Sequence, residues 1–390
     1  MSSSYRIVFY VSGHGFGHTS RSIEVIHALL RARPEAQVVV KTSAPLPLFS
    51  STLHDRCELV ELQCDAGMAQ IDSLNVDVAA SIRQAVAFQK RLPALVTSEA
   101  AYLRRTGACA TVGDIPPLAI AAAHAAGIPS IAIGNFTWDW IYEGYRTGEA
   151  VKLAETIRQL YQAATVALRL PMSGGFTGLA HVTRDIPFIA RRSQRTQDEV
   201  RQALGLPPRA VGTPLVLISF GGHGVAGLDA RALAALGNYT VATTDSPSSA
   251  ARPGGDNAIK SAPGLLTLSE QQIYDYGLRY EDLVAAADVV VTKPGYGIIS
   301  EAIANGAALL YTSRGHFVEY DVLVREMPRY LRAHFLEQKQ LLSGDWSAAL
   351  QRLLSQAPPP EKPALNGAQI AADEILALVT KNEKRQTKTE

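Results

Sequence analysis

Residues 5–18 read YRIVFYVSGHGFGH, in which an apolar run meets a turn with three glycines and two histidines. Apolar side chains at helical spacing follow between Thr19 and Arg33. The order of strand, glycine-rich turn and helix returns at residues 214–224, PLVLISFGGHG. Further short apolar runs alternate with helical patterns, which is typical of parallel sheets built from βαβ units. The sequence therefore predicts an α/β fold with two Rossmann-like halves.

The boundary between the halves is predicted in the polar stretch Ser193–Pro208, which ends in two prolines. A chain of 390 residues is too long for one ordinary core. We expect an N-terminal domain over residues 1–195 and a C-terminal domain over residues 196–365. A helix at residues 366–380 follows, which can cross back onto the first domain. The charged tail, residues 381–390, is expected to be disordered.

Two other segments carry proline or glycine signals. The helical pattern of Ile82–Arg104 contains Pro93, so we expect the helix to break or bend there. Residues 245–264 are rich in Ser, Pro and Gly and therefore predict a loop.

The charge balance and the cysteine content argue against several classes of protein. Lys and Arg number 37 against 36 Asp and Glu, so the whole chain has no electrostatic reason to bind nucleic acid. Three cysteines are too few for a disulfide framework. The first residues do not read as a signal peptide, and no run of 18 apolar residues predicts a membrane span. We expect a cytoplasmic protein, with peripheral contact to a membrane left open.

The first glycine turn contains the residues best suited to proton transfer. Gly13, Gly15 and Gly17 let the backbone approach a bound group. The imidazole of His14 or His18 can accept a proton near neutral pH, although these side chains can instead simply cap the helix. The turn lacks the glycine spacing and the acidic partner of a dinucleotide fingerprint, so a dinucleotide oxidoreductase is the least favoured class.

The segment Lys293–Glu301, KPGYGIISE, follows the predicted strand Val289–Thr292 and opens a helix at about Gly297. Backbone amides at the start of a helix suit a diphosphate. Glu301 lies one turn further on, where its carboxylate can reach a ribose diol. By spacing alone, an ordinary strand–helix turn with a solvated glutamate explains the same residues equally well.

Other polar or glycine-rich groups follow predicted strands, where open α/β sheets bind ligands. The turn Gly221–Gly224 follows the first strand of the second half. Arg314, His316 and Glu319 follow a later strand of that half and can meet the same ligand. Asp114 ends a strand of the first half, although it can equally cap the next helix.

An aromatic segment, Asn135–Glu143 (NFTWDWIYE), combines rings with amide and carboxylate side chains. Rings that stack on sugars beside carboxylates that bind hydroxyls are typical of carbohydrate-facing surfaces. Aromatic side chains packed in the core at a strand–helix junction give the same pattern, so both interpretations stay open.

The order of these motifs resembles that of the GT-B glycosyltransferases. The specific parts are GHGFGH at residues 13–18, NFTWDWIY at 135–142 and KPGYGIISEA at 293–302, and the resemblance covers residues 5–355. It is nearest to the glycosyltransferase-like N-terminal half of plant L-arabinokinase and its bacterial relatives. The chain has a weaker resemblance to the peptidoglycan N-acetylglucosaminyltransferases. The resemblance implies two Rossmann-like domains that face each other across a cleft.

The resemblance also implies how the site is divided between the domains. The C-terminal domain binds the donor, and the residues implied are Gly221, Gly222, His223, Lys293, Gly295, Tyr296, Gly297, Ser300, Glu301, Arg314 and His316. The N-terminal domain binds the acceptor, and the residues implied are Gly13, Gly15, Gly17, Asn135, Trp138 and Asp139. His18 is implied as the base or as the residue that orients the acceptor, with His14 second and Asp114 as a further catalytic candidate.

The activity implied is transfer of a sugar from a nucleoside diphosphate sugar, most simply a UDP-sugar, to an acceptor hydroxyl. The acceptor is a small molecule, a saccharide or a lipid-linked saccharide. No cofactor is expected, and no D-x-D pair is placed to hold a metal ion. Two alternatives are a sugar-nucleotide 2-epimerase, with Asp114, Asp139 and Glu143 as its carboxylates, and a non-catalytic sugar-nucleotide-binding protein. The kinase half of L-arabinokinase has no counterpart among the residues after 380, so sugar phosphorylation is not expected.

Overall fold

The computed structural model describes residues 5–221, 225, 227–244 and 264–386 of the chain. Almost all of the predicted loop at 245–264 therefore lies outside the described residues. Within them, two parallel sheets alternate with helices, so the α/β prediction is confirmed.

The N-terminal sheet contains the strands described before residue 186. They are β1 (Arg6–Val11), β2 (Gln37–Thr42), β3 (Cys57–Glu61), β4 (Ala108–Asp114), β5 (Ser130–Phe136), β6 (Val166–Gly174) and β7 (Thr183–Asp185). Their order is β3-β2-β1-β4-β5-β6-β7, and all neighbours run parallel. The helices between them are α1 (Phe16–Ala32), α2 (Pro47–Leu53), α3 (Val78–Thr106), α4 (Pro117–Ala126), α5 (Trp138–Glu143) and α6 (Gly148–Tyr161). The central strands β1, β4 and β5 are buried along almost their whole length because helices cover both faces of the sheet.

The C-terminal sheet repeats this arrangement. Its described strands are β8 (Leu215–Ser219), β9 (Thr240–Thr244), β10 (Leu265–Leu268), β11 (Val289–Thr292), β12 (Ala308–Tyr311) and β13 (Ala333–Phe335). Their order is β10-β9-β8-β11-β12-β13, again with parallel neighbours. The described helices of this half are α7 (Gln197–Ala203), α8 (Ala230–Ala234), α9 (Glu270–Asp275), α10 (Tyr280–Ala286), α11 (Tyr296–Asn305), α12 (Glu319–Glu326), α13 (Gln338–Ser343) and α14 (Ser347–Leu354).

The predicted helix with an internal proline is α3, which is longer than the sequence pattern indicates. The side chain of Asp77 accepts a hydrogen bond from the Ala80 N–H and so caps the helix earlier than expected. Gly107, with φ of 65°, ends it in the left-handed conformation. Pro93 lies inside the helix without ending it, so the helix is not broken there.

The last helix, α15 (Gly367–Gln386), packs on α1 and β4 of the N-terminal sheet. The prediction of a disordered tail from residue 381 is wrong for residues 381–386, which continue this helix. Lys, Glu, Arg and Gln are good helix formers, and no glycine or proline stands between residues 381 and 386 to stop the helix. Neither α15 nor any other described helix is long and apolar enough to span a bilayer.

Each sheet has one place where the chain order reverses. In the N-terminal sheet it lies between β1 and β4, and in the C-terminal sheet between β8 and β11. At each of these places, the connections that follow the two neighbouring strands go to opposite faces of the sheet. A crevice therefore opens at the carboxyl ends of these strands. The first glycine turn and Asp114 lie at the first crevice, and the Lys293–Gly297 turn lies at the second.

Candidate functional site

His18 and Asp114 meet at the crevice of the N-terminal sheet. Asp114 ends β4, and His18 lies in the first turn of α1, which follows the neighbouring strand β1. Both side chains are buried, and Nδ1 of His18 lies 2.8 Å from Oδ1 of Asp114. An ionised carboxylate only accepts hydrogen bonds, so Nδ1 carries the proton and donates it. Nε2 is then the ring atom that can accept a proton from a hydroxyl.

Arg21 and Ser22 hold the carboxylate of Asp114 in place. Arg21 donates from Nε to Oδ2 at 2.7 Å and from Nη2 to Oδ1 at 2.5 Å, and the Ser22 hydroxyl donates to Oδ2 at 3.1 Å. Burial opposes ionisation, but the charge of Arg21 and the hydrogen bonds from Arg21 and His18 hold the pKa of Asp114 below its ordinary value. The alternative role as a helix cap is wrong, because Pro116 precedes α4 and no side chain caps that helix.

His14 has a different environment from His18. Its Nδ1 accepts a hydrogen bond from the Met68 N–H at 3.2 Å. Burial lowers the pKa of His14 well below its ordinary value, and the charges of Arg314 and Lys293 lower it further. The neutral ring therefore carries its proton on Nε2, a buried atom with no hydrogen-bond partner among the described residues. This tautomer makes His14 a hydrogen-bond donor rather than a second base.

Trp138 supports the ring of His14 from within the core. Its indole packs against His14, Phe136 and Tyr142, and its Nε1–H donates to Asp65 at 2.9 Å. The side chain is 1% exposed, so neither face of the ring is open to a sugar. Of the two interpretations of the aromatic segment, this packing supports the buried core.

Asp139 is held by an ion pair with Arg158 of α6. Its Oδ2 accepts a hydrogen bond from Nε of Arg158 at 3.1 Å, and Arg158 also binds Glu143 at 2.6 Å. These ion pairs join α5 to α6 and stabilise the helix pair. The structure therefore brings Asn135, but not Asp139, to the centre of the predicted site.

Lys293 and Arg314 form a cationic pair at the crevice of the C-terminal sheet. Nη1 of Arg314 lies 3.5 Å from the Pro294 carbonyl oxygen, directly before α11. Burial lowers the pKa of Lys293 to about 7, and the like charge of Arg314 adds to this effect, while Asp72 opposes it. Two cations held together at a helix N-terminus favour an anionic ligand, since each is repelled by the other.

Hydrogen bonds connect the two halves across the cleft. Asn135, in β5, accepts from Nη1 of Arg21 at 3.0 Å and donates from Nδ2 to Oε1 of Glu319 at 2.6 Å. Oε2 of Glu319 lies 3.7 Å from Nη1 of Arg314. The guanidinium of Arg21 also lies 5.4 Å from the centre of the Tyr296 ring, at the start of α11. The His18–Asp114 pair is therefore connected through side chains to the cationic pair.

The N-termini of α1 and α11 cross at two glycines. A Cβ atom on Gly297 would lie 2.9 Å from the Cα of Gly17, and a Cβ on Gly17 would lie 3.4 Å from the Gly297 nitrogen. The two predicted glycine turns therefore meet backbone to backbone, which brings the amides of both helix starts to one place.

Replacing Gly297 with alanine is expected to lower the free energy of unfolding by about 1–3 kcal/mol, because the new methyl group meets a backbone atom that cannot move aside. Thermal denaturation measures this change. Gly295→Ala is the matched control, since a Cβ there meets the Arg314 Nη1 at an ordinary 3.9 Å. Alanine is favoured over glycine in a helix by about 1 kcal/mol, so a Gly297→Ala protein more stable than wild type contradicts the crossing.

Glu301 is buried in α11 and faces the connection between the halves. Its Oε1 accepts a hydrogen bond from Nε of Arg191 at 2.7 Å and lies 2.7 Å from Nη2 in the same ion pair. Burial raises the pKa of Glu301, while Arg191 opposes this effect. The solvated first-turn position is therefore wrong: this carboxylate is 3% exposed and has a fixed partner.

The other predicted donor residues differ in their surroundings. The Ser300 hydroxyl donates to a backbone carbonyl of the preceding turn at 2.9 Å, and His316 is exposed on its loop. Gly221 is exposed with φ of 73°, a conformation that favours glycine. Gly222 and His223 lie outside the described residues.

The remaining glycines of the first turn have structural roles. Gly15 precedes α1 with φ of 79° and leaves open space around its Cα. A side chain on Gly13 would collide with the hydroxyl of Ser43. These two glycines allow the turn between β1 and α1, and α1 carries His18.

Sequence reasoning missed several polar residues of this site: Arg21, Asp65, Asp72 and Arg191. Arg21 lies three residues after His18, so the two share a helix face, and this spacing was a usable signal. The contacts of Asp65 with Trp138 and of Arg191 with Glu301 join distant parts of the chain. No local pattern marks them.

No family model matches the chain. Over 380 residues, or 95% of this chain, the sequence is 30% identical to L-arabinokinase of Arabidopsis thaliana. The chain spans about a third of that protein, 34% of its length. The match confirms, over this part, the resemblance that the motifs indicate.

Solved structures share the architecture at low identity. UGT89C1 of Arabidopsis thaliana, complexed with UDP, has a TM-score of 0.58 and 16% identity, covering 97% of this chain and 100% of its own. MurG of Acinetobacter baumannii has a TM-score of 0.54 and 14% identity, covering 96% and 99%. The chain therefore has the GT-B fold, with two parallel α/β halves facing each other.

Proposed function

We propose that this chain is a glycosyltransferase that moves a sugar from a nucleoside diphosphate sugar to an acceptor hydroxyl without a metal ion. UDP is the first nucleotide to consider, because UGT89C1, a protein of the same fold, is described in complex with it. The similarity to part of L-arabinokinase supports a carbohydrate substrate. The observation that carries the proposal is the group of three polar side chains, Lys293, Arg314 and His14, whose charges interact at the cleft near His18.

Each member of this group suits a diphosphate. Lys293 and Arg314 supply positive charge, and the Nε2–H of His14 is a buried donor without a partner among the described residues. The start of α11 adds backbone amides and the positive end of the helix dipole. A diphosphate between these groups removes the repulsion between the two cations and satisfies the orphan donor. Glu319, 3.7 Å from Arg314, and Asp72, whose charge acts on Lys293, are the competing anions.

Glu301 is the proposed partner of the ribose. Arg191 contacts Oε1 of the carboxylate, and Oε2 is the oxygen proposed to accept a hydrogen bond from a ribose hydroxyl. The pairing with Arg191 then orients the carboxylate instead of competing for it. The predicted roles of the Gly221–His223 turn belong to the same proposal.

The transfer step uses His18 on the opposite half. The acceptor oxygen attacks the anomeric carbon and its proton passes to Nε2 of His18, while the bond from that carbon to the phosphate oxygen breaks. UDP leaves with the bonding electrons, and the cationic pair stabilises the charge that develops on it. Asp114 stabilises the imidazolium formed at His18. Closing both halves around the substrates supplies proximity and excludes water.

Thermal denaturation with a panel of nucleoside diphosphates and their sugars tests the binding part. UDP at 100 times its Kd is expected to stabilise the folded state by about 2.7 kcal/mol. Uridine is the control, because it lacks the diphosphate and is expected to give a far smaller shift. A panel in which no nucleotide raises the Tm would overturn the proposal.

Release of UDP from UDP-glucose, with EDTA present and a panel of sugar and phenolic acceptors, tests the chemistry. We expect acceptor-dependent release that EDTA does not abolish. Free sugar and UDP without an acceptor would favour the 2-epimerase alternative. Binding of UDP without turnover on any acceptor would favour the non-catalytic binding protein.

A further inference from the structure

Arg21 is the central charge of the buried network around His18. Its side chain is 4% exposed and uses three nitrogens, Nε and Nη2 toward Asp114 and Nη1 toward Asn135. The two contacts with Asp114 form a bidentate pair, which fixes the carboxylate more firmly than one hydrogen bond does. Nη2 also lies 3.0 Å from Nδ1 of His18. Arg21 therefore touches both members of the pair.

The charge balance at Asp114 depends on this contact. A buried carboxylate needs a full positive charge beside it, and removing that charge leaves the carboxylate buried and uncompensated. A guanidinium stays protonated at all ordinary pH values and meets the need permanently. Without it, the imidazole of His18 is the nearest group that can become a cation. A doubly protonated imidazole has no lone pair for an acceptor hydroxyl.

We propose that Arg21 is a positioning residue that neutralises and orients Asp114, so that His18 stays neutral with its proton on Nδ1. The role of His18 as a base rests on the proposed function, whereas its charge state and tautomer do not. Arg21 would not touch the substrate and would act only through Asp114 and His18.

The remaining groups near His18 do not replace Arg21. Asp65 lies near enough to interact with His18, but burial raises the pKa of Asp65, and Trp138 and Ser12 supply its hydrogen bonds. His14, the other titratable neighbour, is neutral because burial lowers its pKa. Arg21 is therefore the permanent cation in contact with Asp114.

Arg21 also connects this pair to the C-terminal half. Nη1 donates to Asn135, which donates in turn to Glu319 at 2.6 Å, and the Tyr296 ring lies 5.4 Å from the guanidinium. Of these contacts, the Asn135–Glu319 bond and the Arg21–Tyr296 contact are the two that cross between the halves. Asp114 and Asn135 both belong to the N-terminal sheet, so the hydrogen bonds that orient Arg21 lie within one half.

Nitrogen NMR of protein labelled with ¹⁵N in its nine histidines tests the proposal without any substrate. The His18 signals are assigned by their loss in His18→Gln. In wild type at pH 7 we expect a neutral ring protonated at Nδ1. In Arg21→Met we expect a doubly protonated ring, and in Arg21→Lys, which keeps the charge, a ring close to wild type. Arg31→Met, at an exposed position of α1, is the matched control and should leave the His18 signals unchanged.

The pH profile of UDP release provides the second readout. In Arg21→Met the acidic limb of the pH profile is expected to move to higher pH, because a cation near His18 has been removed. A doubly protonated His18 in wild type at pH 7, or unchanged signals in a folded Arg21→Met, overturns the proposal. If Arg21→Met does not fold, the wild-type and Arg21→Lys spectra test the proposal: both should show a neutral His18 ring protonated at Nδ1. Absence of turnover in wild type with the expected spectra overturns the proposed function alone.

Discussion

His18→Ala is expected to lower the turnover number for sugar transfer by about 10²–10⁴-fold, the range that a positioned general base contributes. The dissociation constant of UDP is expected to stay unchanged, because the proposed contacts to the diphosphate come from His14 and the C-terminal half. Steady-state rates of UDP release and calorimetric titration with UDP measure the two quantities separately.

His124→Ala is the control for this experiment. His124 is exposed near the end of α4, so its removal tests the loss of an imidazole remote from Asp114. We expect wild-type turnover for this variant. A His18→Ala protein that transfers sugar at the wild-type rate shows that another group takes the proton. A loss of UDP affinity equal to the loss of turnover shows instead that His18 belongs to the donor site.

The sequence predicted those parts of the site whose residues lie within a few positions of one another in the chain. The first glycine turn and the Lys293–Gly297 turn each combine a strand end, a glycine and a helix start within a few residues. Such signals are local, and parallel sheets place strand ends at one edge, so the two crevices followed from the pattern. Asp114 was found for the same reason, because it ends β4.

Partners distant in the chain were not predictable in this way. The Arg21–Asp114 pair spans 93 residues and the Asn135–Glu319 bond spans 184. Their geometry depends on how helices and strands pack, which a single sequence does not display. Trp138 illustrates the same limit, because the sequence around a tryptophan at a strand–helix junction looks the same whether the indole faces solvent or the core. The crossing of Gly17 with Gly297 joins two turns that look independent in the sequence.

The charged side chain of Lys293 lowers the stability of the folded protein when no ligand is bound. Lys293 is packed at the cleft beside Arg314, and its pKa falls to about 7 from an ordinary 10.5. At neutral pH and below, the folded protein must either carry a charge in an unfavourable place or lose the proton. Residues placed for a ligand rather than for the fold commonly have this property.

Lys293→Met is therefore expected to stabilise the ligand-free protein while weakening UDP binding. Between pH 7 and 10.5 the unfolded chain holds a proton on Lys293 that the folded protein lacks, so wild-type stability rises with pH across this window. Below pH 7 Lys293 is protonated in both states, and the full cost of burying its charge lowers the free energy of unfolding. We expect Lys293→Met to unfold with a free energy higher than wild type by at least about 1 kcal/mol at pH 6, equivalent to roughly one pKa unit. The difference should shrink as the pH approaches 10.5.

The affinity for UDP should change in the opposite direction. Loss of a charged hydrogen bond of about 1.5–3 kcal/mol predicts a Kd about 10- to 100-fold higher for Lys293→Met at pH 6. In wild type, the Kd should rise above pH 7, because binding then requires Lys293 to take up a proton. Lys293→Arg, which stays charged, is the matched control and should remove this pH dependence. Lower stability of Lys293→Met at pH 6 together with unchanged UDP affinity would place Lys293 outside the diphosphate site and make its charge part of the fold.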